Sequence, residues 1–187
     1  MVDDIIHSIY PLSQQNSAKI KALIEYQSIP KGEVFIKLNQ INRSEYFLIE
    51  GICKSFLHNP DGEEITISFF DDNSVLSPYT TRTSGERSVL NFKALTDIEL
   101  GVLNAEDFEA LMIESLEIRN FGNQTLRNEL MHKVQKETGL ATLTAKQRLI
   151  NFRKRFPLLE NMVPHTDIAT YLGITNISLS RLRKELI

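Results

Sequence analysis

The sequence predicts an α+β chain. Its parts are an N-terminal antiparallel β-roll of the double-stranded β-helix or jelly-roll kind with flanking helices, one long helix, and a terminal pair of short helices about a tight turn. Three observations carry the prediction. Between Ile29 and Leu103 short apolar runs alternate with turn residues at the spacing of an all-β unit. Leu126, Leu130 and Val134 recur every four residues inside a stretch that starts near Ala105 and runs to about Glu137. Beyond Pro164 two amphipathic pieces flank Gly173.

Residues 1–10 read as a short helix with Ile5, Ile6 and Ile9 on one side, ended before Pro11. Ser13 or Asn16 caps a second helix whose buried stripe is Ile20, Leu23 and Ile24. The strands expected next are Val34–Leu38, Tyr46–Glu50, Ile52–Leu57, Glu64–Phe70, Val89–Thr96 and Glu99–Leu103. Turns separate them at Pro30-Lys31-Gly32, Asn39-Gln40, Asn59-Pro60-Asp61-Gly62 and Asp71-Asp72-Asn73. Asp-Gly between two alternating runs is a strong hairpin signal, because both residues accept the positive φ of a tight turn.

The long helical stretch has an acidic start (Glu106, Asp107, Glu109) and a later basic pair (Lys133, Lys136), which suits the helix dipole. Roughly thirty residues of helix span about 45 Å and outrun a domain of this size. We read it as a dimer-forming stem with Leu116, Phe121, Leu126, Leu130 and Val134 at the interface; the plainer alternative is a helix packed on its own roll. Gly122, Asn120, Asn123 and Gln124 interrupt a heptad seam. Thr138-Gly139 reads as a hinge, and Thr144 as the cap of a helix with Leu149, Phe152 and Phe156 on its apolar face. The expected division is therefore 1–104, 105–138 and 139–187.

Within 164–187, Ile168, Ala169 and Leu172 share a face of the first helix. Gly173 ends it, since only glycine enters left-handed dihedrals without a Cβ clash. Thr175 caps the second helix. There Leu179, Leu182 and Leu186 form an apolar stripe, while Ile177, Arg181 and Lys184 project to the other side. This is the plan of a helix-turn-helix, although ordinary bundles also contain such pairs. Charge favours DNA: residues 140–187 hold 8 Lys and Arg against 3 Asp and Glu, while residues 1–139 hold 13 against 21. A basic piece attached to an acidic body is what a phosphate-binding module on a separate sensor would show.

Composition bounds the rest. A hydrophobic share of 42% and a charged share of 24% are those of a globular protein, and no apolar run approaches the ~20 residues of a membrane span. The acidic start Met1-Val2-Asp3-Asp4 is unlike a secretory signal. Cys53 is the one cysteine, so neither an internal disulfide nor a cysteine-ligated iron–sulfur cluster is expected within one chain. The expectation is a cytoplasmic protein without membrane association.

In this order of elements the chain resembles the CRP/FNR family of bacterial transcription regulators. The matching stretches are Pro30–Glu33, Tyr46–Gly51, Asp61–Ile65 and Ala145–Arg148; strongest is Asp167-Ile168-Ala169 through Leu172-Gly173-Ile174-Thr175 to Leu179–Lys184. The resemblance implies a homodimer on double-stranded DNA, a palindromic operator and RNA polymerase as a further partner. By position, the reading helix would begin at Thr175, and Asn176, Ile177, Ser178 and Arg181 would face the major groove, with Arg181 suited to guanine, Asn176 to adenine or a phosphate and Ile177 to a thymine methyl. Many relatives carry an acidic residue where Ile177 stands, so their operator is not carried over. Thr166, Ser180 and Lys184 would contact phosphates, while Arg183 and Lys184 equally suit a solvated charged face. No segment follows in which the family's β-wing would form, so affinity is expected to rest on dimerisation.

The cyclic-nucleotide-binding branch of the family carries Gly-Glu-Leu and then Arg-Ser or Arg-Ala. Here the first part reads Ser74-Val75-Leu76-Ser77-Pro78-Tyr79, without the glycine or the ribose-binding glutamate, so cyclic AMP is not expected. Glu86-Arg87-Ser88 resembles the second part. Ser77, Tyr79, Arg82, Glu86, Arg87 and Ser88 are thus the candidate pocket for some other small anionic effector, with an exposed polar loop as the plainer reading. No cofactor, metal or catalysis is expected: His7, His58, His132 and His165 are scattered, and no phosphate loop or nucleophile motif appears. The alternative to a regulator is a ligand-sensing or protein-interaction β-roll without DNA binding.

Overall fold

The computed structural model describes residues 2–76 and 86–186. Two helices open the chain, α1 (Val2–Ile9) and α2 (Gln14–Lys21). Ser13 caps α2 as expected, its hydroxyl accepting from the Asn16 amide. Among the described residues eight strands follow: β1 (Glu25–Ile29), β2 (Val34–Ile36), β3 (Ser44–Glu50), β4 (Cys53–His58), β5 (Glu64–Phe70), β6 (Ser74–Leu76), β7 (Asn91–Ala94) and β8 (Ile98–Asn104). They make two four-stranded sheets, ordered β1-β8-β3-β6 and β2-β7-β4-β5. The first is antiparallel throughout, with Glu25 opposite Val102, Ser44 opposite Asn104 and Tyr46 opposite Leu76. A register shift between Leu48 and Glu50 precedes Gly51 (φ +95°), where a Cβ would lie 2.4 Å from the Asp97 carbonyl oxygen. Only glycine passes there.

The helical part is α3 (Ala105–Glu114), α4 (Leu116–Thr142), α5 (Ala145–Arg155), a 3-10 turn at Leu159–Asn161, α6 (His165–Tyr171) and α7 (Asn176–Glu185). Two expectations change here. The predicted helix from Ala105 to Glu137 is two helices, broken at Ser115, whose backbone is extended (φ −127°, ψ 119°). The Arg119 side chain closes the end of α3 by donating to the carbonyls of Met112 and Ile113. Thr138-Gly139, expected as a hinge, lies inside α4; the Thr138 hydroxyl bonds back to the Val134 carbonyl at 2.8 Å, and the helix continues to Thr142. One glycine costs a helix only ~1 kcal/mol, which a long helix absorbs. Thr144 caps α5 in a reciprocal capping box with Gln147.

Two compact units result, residues 1–54 with 70–130, and residues 55–69 with 131–187. The first has a core of α1, α2, roll and α3–α4 side chains, including Ile5, Ile6, Ile20, Phe47, Phe108, Ile118 and Phe121. Phe121, expected at a dimer seam, is 2% exposed and belongs to this core, stacked on Phe47 (6.3 Å, 9°) and edge-on to Phe108. Helical periodicity marks an apolar residue without saying which neighbour covers it. In the second unit the β4–β5 hairpin packs with the C-terminal helices. Asn59 organises its turn, accepting from the amides of Asp61, Gly62 and Glu63. Phe69 meets Phe152, Phe156 and Tyr171 with ring centres 5.2–6.1 Å apart, and the Thr66 amide donates to the Thr170 hydroxyl at 3.1 Å.

Candidate nucleic-acid interface

The α6–α7 pair is built from local signals. At the end of α6 the amide of Gly173 (φ +64°) donates to Thr170 and that of Ile174 to the Ala169 carbonyl. These are the two bonds of a Schellman ending, which needs the left-handed residue between them. Arg148 of α5 satisfies two more carbonyls, Leu172 at 2.9 Å and Leu143 at 2.7 Å. The Thr175 hydroxyl accepts from the Ser178 amide at 3.1 Å and starts α7.

Burial then sorts the residues of the pair. Ile168, Ala169, Leu172, Leu179 and Leu182 turn inward. Thr166, Thr175, Asn176, Ile177, Ser180, Arg181 and Lys184 are exposed. Ile177 is 84% exposed, and the Arg181 side chain is 75% exposed, held only by a loose 3.9 Å pair with Glu185. Ile177 thus presents most of an apolar side chain to the outside of a ten-residue helix. Ser178, expected to face outward, is half-buried, and its hydroxyl accepts from Thr175 Oγ1 at 3.0 Å. It belongs to the cap rather than to a free reading surface.

Of the expected effector residues, Ser77, Tyr79 and Arg82 lie outside the described residues. The other three are engaged by the protein itself. Arg87 pairs with Ile41 across an isolated bridge and donates from Nη1 to the Asn39 carbonyl at 2.6 Å. Glu86 has φ +60° and takes Arg43 at 2.9 Å. Ser88 is buried and donates to the Leu90 carbonyl. Elsewhere in the same unit, a small, mostly apolar pocket is lined by Phe47, Val75, Leu103, Phe108 and Phe121, with Glu45 and Thr125 also at its wall. Among the described residues no three His, Cys, Asp or Glu side chains converge as a metal site requires, and no helix is long and apolar enough to cross a membrane.

Residues 26–115 match the cyclic nucleotide-binding domain family. The fold is that of FixK2 from Bradyrhizobium japonicum, with a TM-score of 0.79 at 19% identity over 87% of this chain and 84% of that one. A structure assigned to a transcriptional regulator of the CRP/FNR family from Eubacterium rectale agrees at a TM-score of 0.72 and 17% identity, covering 93% and 83%. The chain has the CRP/FNR fold. It is also 24% identical to the global nitrogen regulator of Synechococcus elongatus, across 94% of this chain and 88% of the relative.

Within the CRP/FNR fold, sequence reasoning missed one group beside the α6–α7 pair. Glu160, in the 3-10 turn, is buried and takes arginines from two helices. Arg183, left open between a phosphate contact and a solvated face, is one of them. The one available signal was an acidic residue alone among basic and apolar neighbours between Arg155 and His165.

Proposed function

We propose that the chain is a sequence-specific DNA-binding transcription regulator that acts as a homodimer on a palindromic operator and does not respond to cyclic AMP. The observation that carries this reading is the sorting of α7: its leucines are buried while Arg181 and Ile177, four residues apart, leave the opposite face uncovered. Residues at i and i+4 share one helix face, so the two side chains would enter one groove together. Arg181 offers a forked donor for guanine O6 and N7, and Ile177 an apolar surface for a thymine methyl. Asn176 would read a neighbouring base or bind a phosphate. Thr166, Thr175, Ser180 and Lys184 would hold the sugar-phosphate backbone, which fixes register without reading sequence.

A single ten-residue helix in one groove is a weak binder. Two copies on half-sites about one helical turn apart, ~34 Å, supply the missing affinity. The stem offers the means: Leu130 is 61% exposed, and Val134, Met131 and Leu126 lie near it on α4. The protein is read as a binding protein of the bacterial cytoplasm that contacts RNA polymerase, not as an enzyme.

The experiment is a mobility-shift assay on duplexes enriched from a random-sequence pool by the purified chain. A palindromic consensus, lost to Arg181→Ala, is the expected result. Absence of any enriched sequence would leave the β-roll as a ligand-sensing or protein-interaction module.

A further inference from the structure

Glu160 is nine-tenths buried, and its one carboxylate joins three elements, the 3-10 turn, α5 and α7. Its Oε2 accepts from Arg153 Nε at 2.6 Å; its Oε1 accepts from Arg153 Nη2 at 3.0 Å and from Arg183 Nε at 2.7 Å. Arg153 comes from α5 and Arg183 from α7. The arginines reach further: Arg153 Nη1 donates to the Leu186 carbonyl at the end of α7 (3.3 Å), and Arg183 Nη1 lies 3.2 Å from His165 Nδ1 at the start of α6. The hydrogen bonds from Arg153, with help from Arg183, hold the Glu160 carboxyl below the usual carboxylate range against the opposing effect of burial.

We propose that Glu160 is the positioning residue of the DNA-reading helix, and that Arg183, although basic and on α7, is a strut rather than a phosphate contact. This inference rests on the DNA-binding reading above. Leu179 and Leu182 give α7 a buried face, but apolar packing is non-directional and tolerates a roll of the helix on its bed. A charge-assisted hydrogen bond is directional: Arg183 Nε gives one to a carboxylate that the Arg153 fork already fixes, and this resists that roll. At about 100° per residue, Arg181 projects roughly 160° away from Arg183, and Ile177 lies about 40° from Arg181. Holding Arg183 inward therefore aims both outward. A roll of about 20° moves a side-chain tip on a helix of ~5–6 Å radius by about 2 Å, enough to break a forked hydrogen bond. Removing the carboxylate also leaves two half-buried guanidinium groups facing one another.

The test uses the full chain and fluorescence anisotropy. The probes are a duplex that the unaltered chain enriches from a random pool and a scrambled duplex of equal length. Glu160→Gln and Arg183→Gln should each weaken the enriched duplex about tenfold or more. Both should leave the scrambled duplex and its salt dependence within about twofold, because no phosphate contact is lost. The double variant should be no weaker than either single one, since both remove one shared contact. Amide hydrogen exchange across residues 176–185 should quicken in both single variants.

Two results would overturn the proposal. One is a salt slope lower by about 0.9, one phosphate's worth, for Arg183→Gln while Glu160→Gln is silent. The other is unchanged exchange across α7 in Glu160→Gln, a readout that needs no DNA. If the unaltered chain enriches no duplex while exchange still quickens, the DNA-binding reading falls and the role of Glu160 in holding α7 stands. Should Glu160→Gln fail to fold, Arg183→Lys, which keeps the charge and loses the Nε donor to Glu160, carries the same comparison.

Discussion

The ammonium of Lys136 lies 4.1 Å from the centre of the Tyr171 ring and donates to the Ile67 carbonyl at 2.5 Å. One side chain of α4 thereby meets both the hairpin and α6 inside the second unit. Burial first, and Lys133 to a lesser degree, pull its pKa from 10.5 to about 8. Between those values the unfolded chain binds more protons than the folded one, so the contribution of Lys136 to stability rises as pH climbs from about 8 to 10.5. The full shift corresponds to about 3 kcal/mol at most. Urea unfolding of the unaltered chain and of Lys136→Met at pH 7.5, 9 and 10.5 measures it. The unaltered chain should gain on the variant with each step, and a difference flat in pH would refute the burial argument.

Arg181→Ala removes an exposed side chain with one loose ion pair. Folding stability should stay within about 0.5 kcal/mol. The preference for the enriched duplex over a single-base variant at the contacted position should fall by about 1–3 kcal/mol. Mobility-shift titrations on the two duplexes give that difference. Equal losses on both would mean that Arg181 contacts phosphate, not base.

Gly173→Ala places a Cβ at φ +64°, 3.0 Å from Leu140 Cδ2. Leu140 is partly exposed and can yield, so the cost comes from the left-handed backbone, about 1–2 kcal/mol. Thermal unfolding should show a lower midpoint for Gly173→Ala and a smaller drop for Gly173→Asn, because asparagine tolerates this region better.

Leu130→Glu with Val134→Glu changes two side chains that are 61% and 43% exposed in one copy of the chain. Sedimentation velocity should show a shift from two copies to one, with little change in helix content by circular dichroism. A dimer that survives both changes would place the interface elsewhere.

The parts legible in the sequence are those specified by neighbours in the chain. Thr175, Gly173 and Thr144 act on amides and carbonyls within a few residues, so their roles could be read directly. Asp61-Gly62 likewise announced its hairpin, and Glu64–Phe70 emerged with the expected bounds. What stayed hidden depends on distant partners. The Glu25–Ile29 strand is an exposed edge with little apolar alternation, and Ser74–Leu76 is only three residues long. The break at Ser115 uses no glycine or proline; Arg119 makes it possible by reaching back over the end of α3. In the candidate site, Arg181 and Ile177 are exposed as their spacing implied. Arg183 differs because Glu160, 23 residues away in sequence, captures it.

Phe69 and the outer backbone of β5 find their cover in Phe152, Phe156, Tyr171, Thr170 and Lys136. On a growing polypeptide the hairpin is made long before any of these emerge. Until then it presents a bare aromatic ring and open strand-edge groups, a surface prone to sticking to other chains. A fragment cut after Leu130 keeps that surface permanently. Such a truncated roll would precipitate or demand a chaperone, and a soluble one is best sought by also replacing Phe69 with a polar residue.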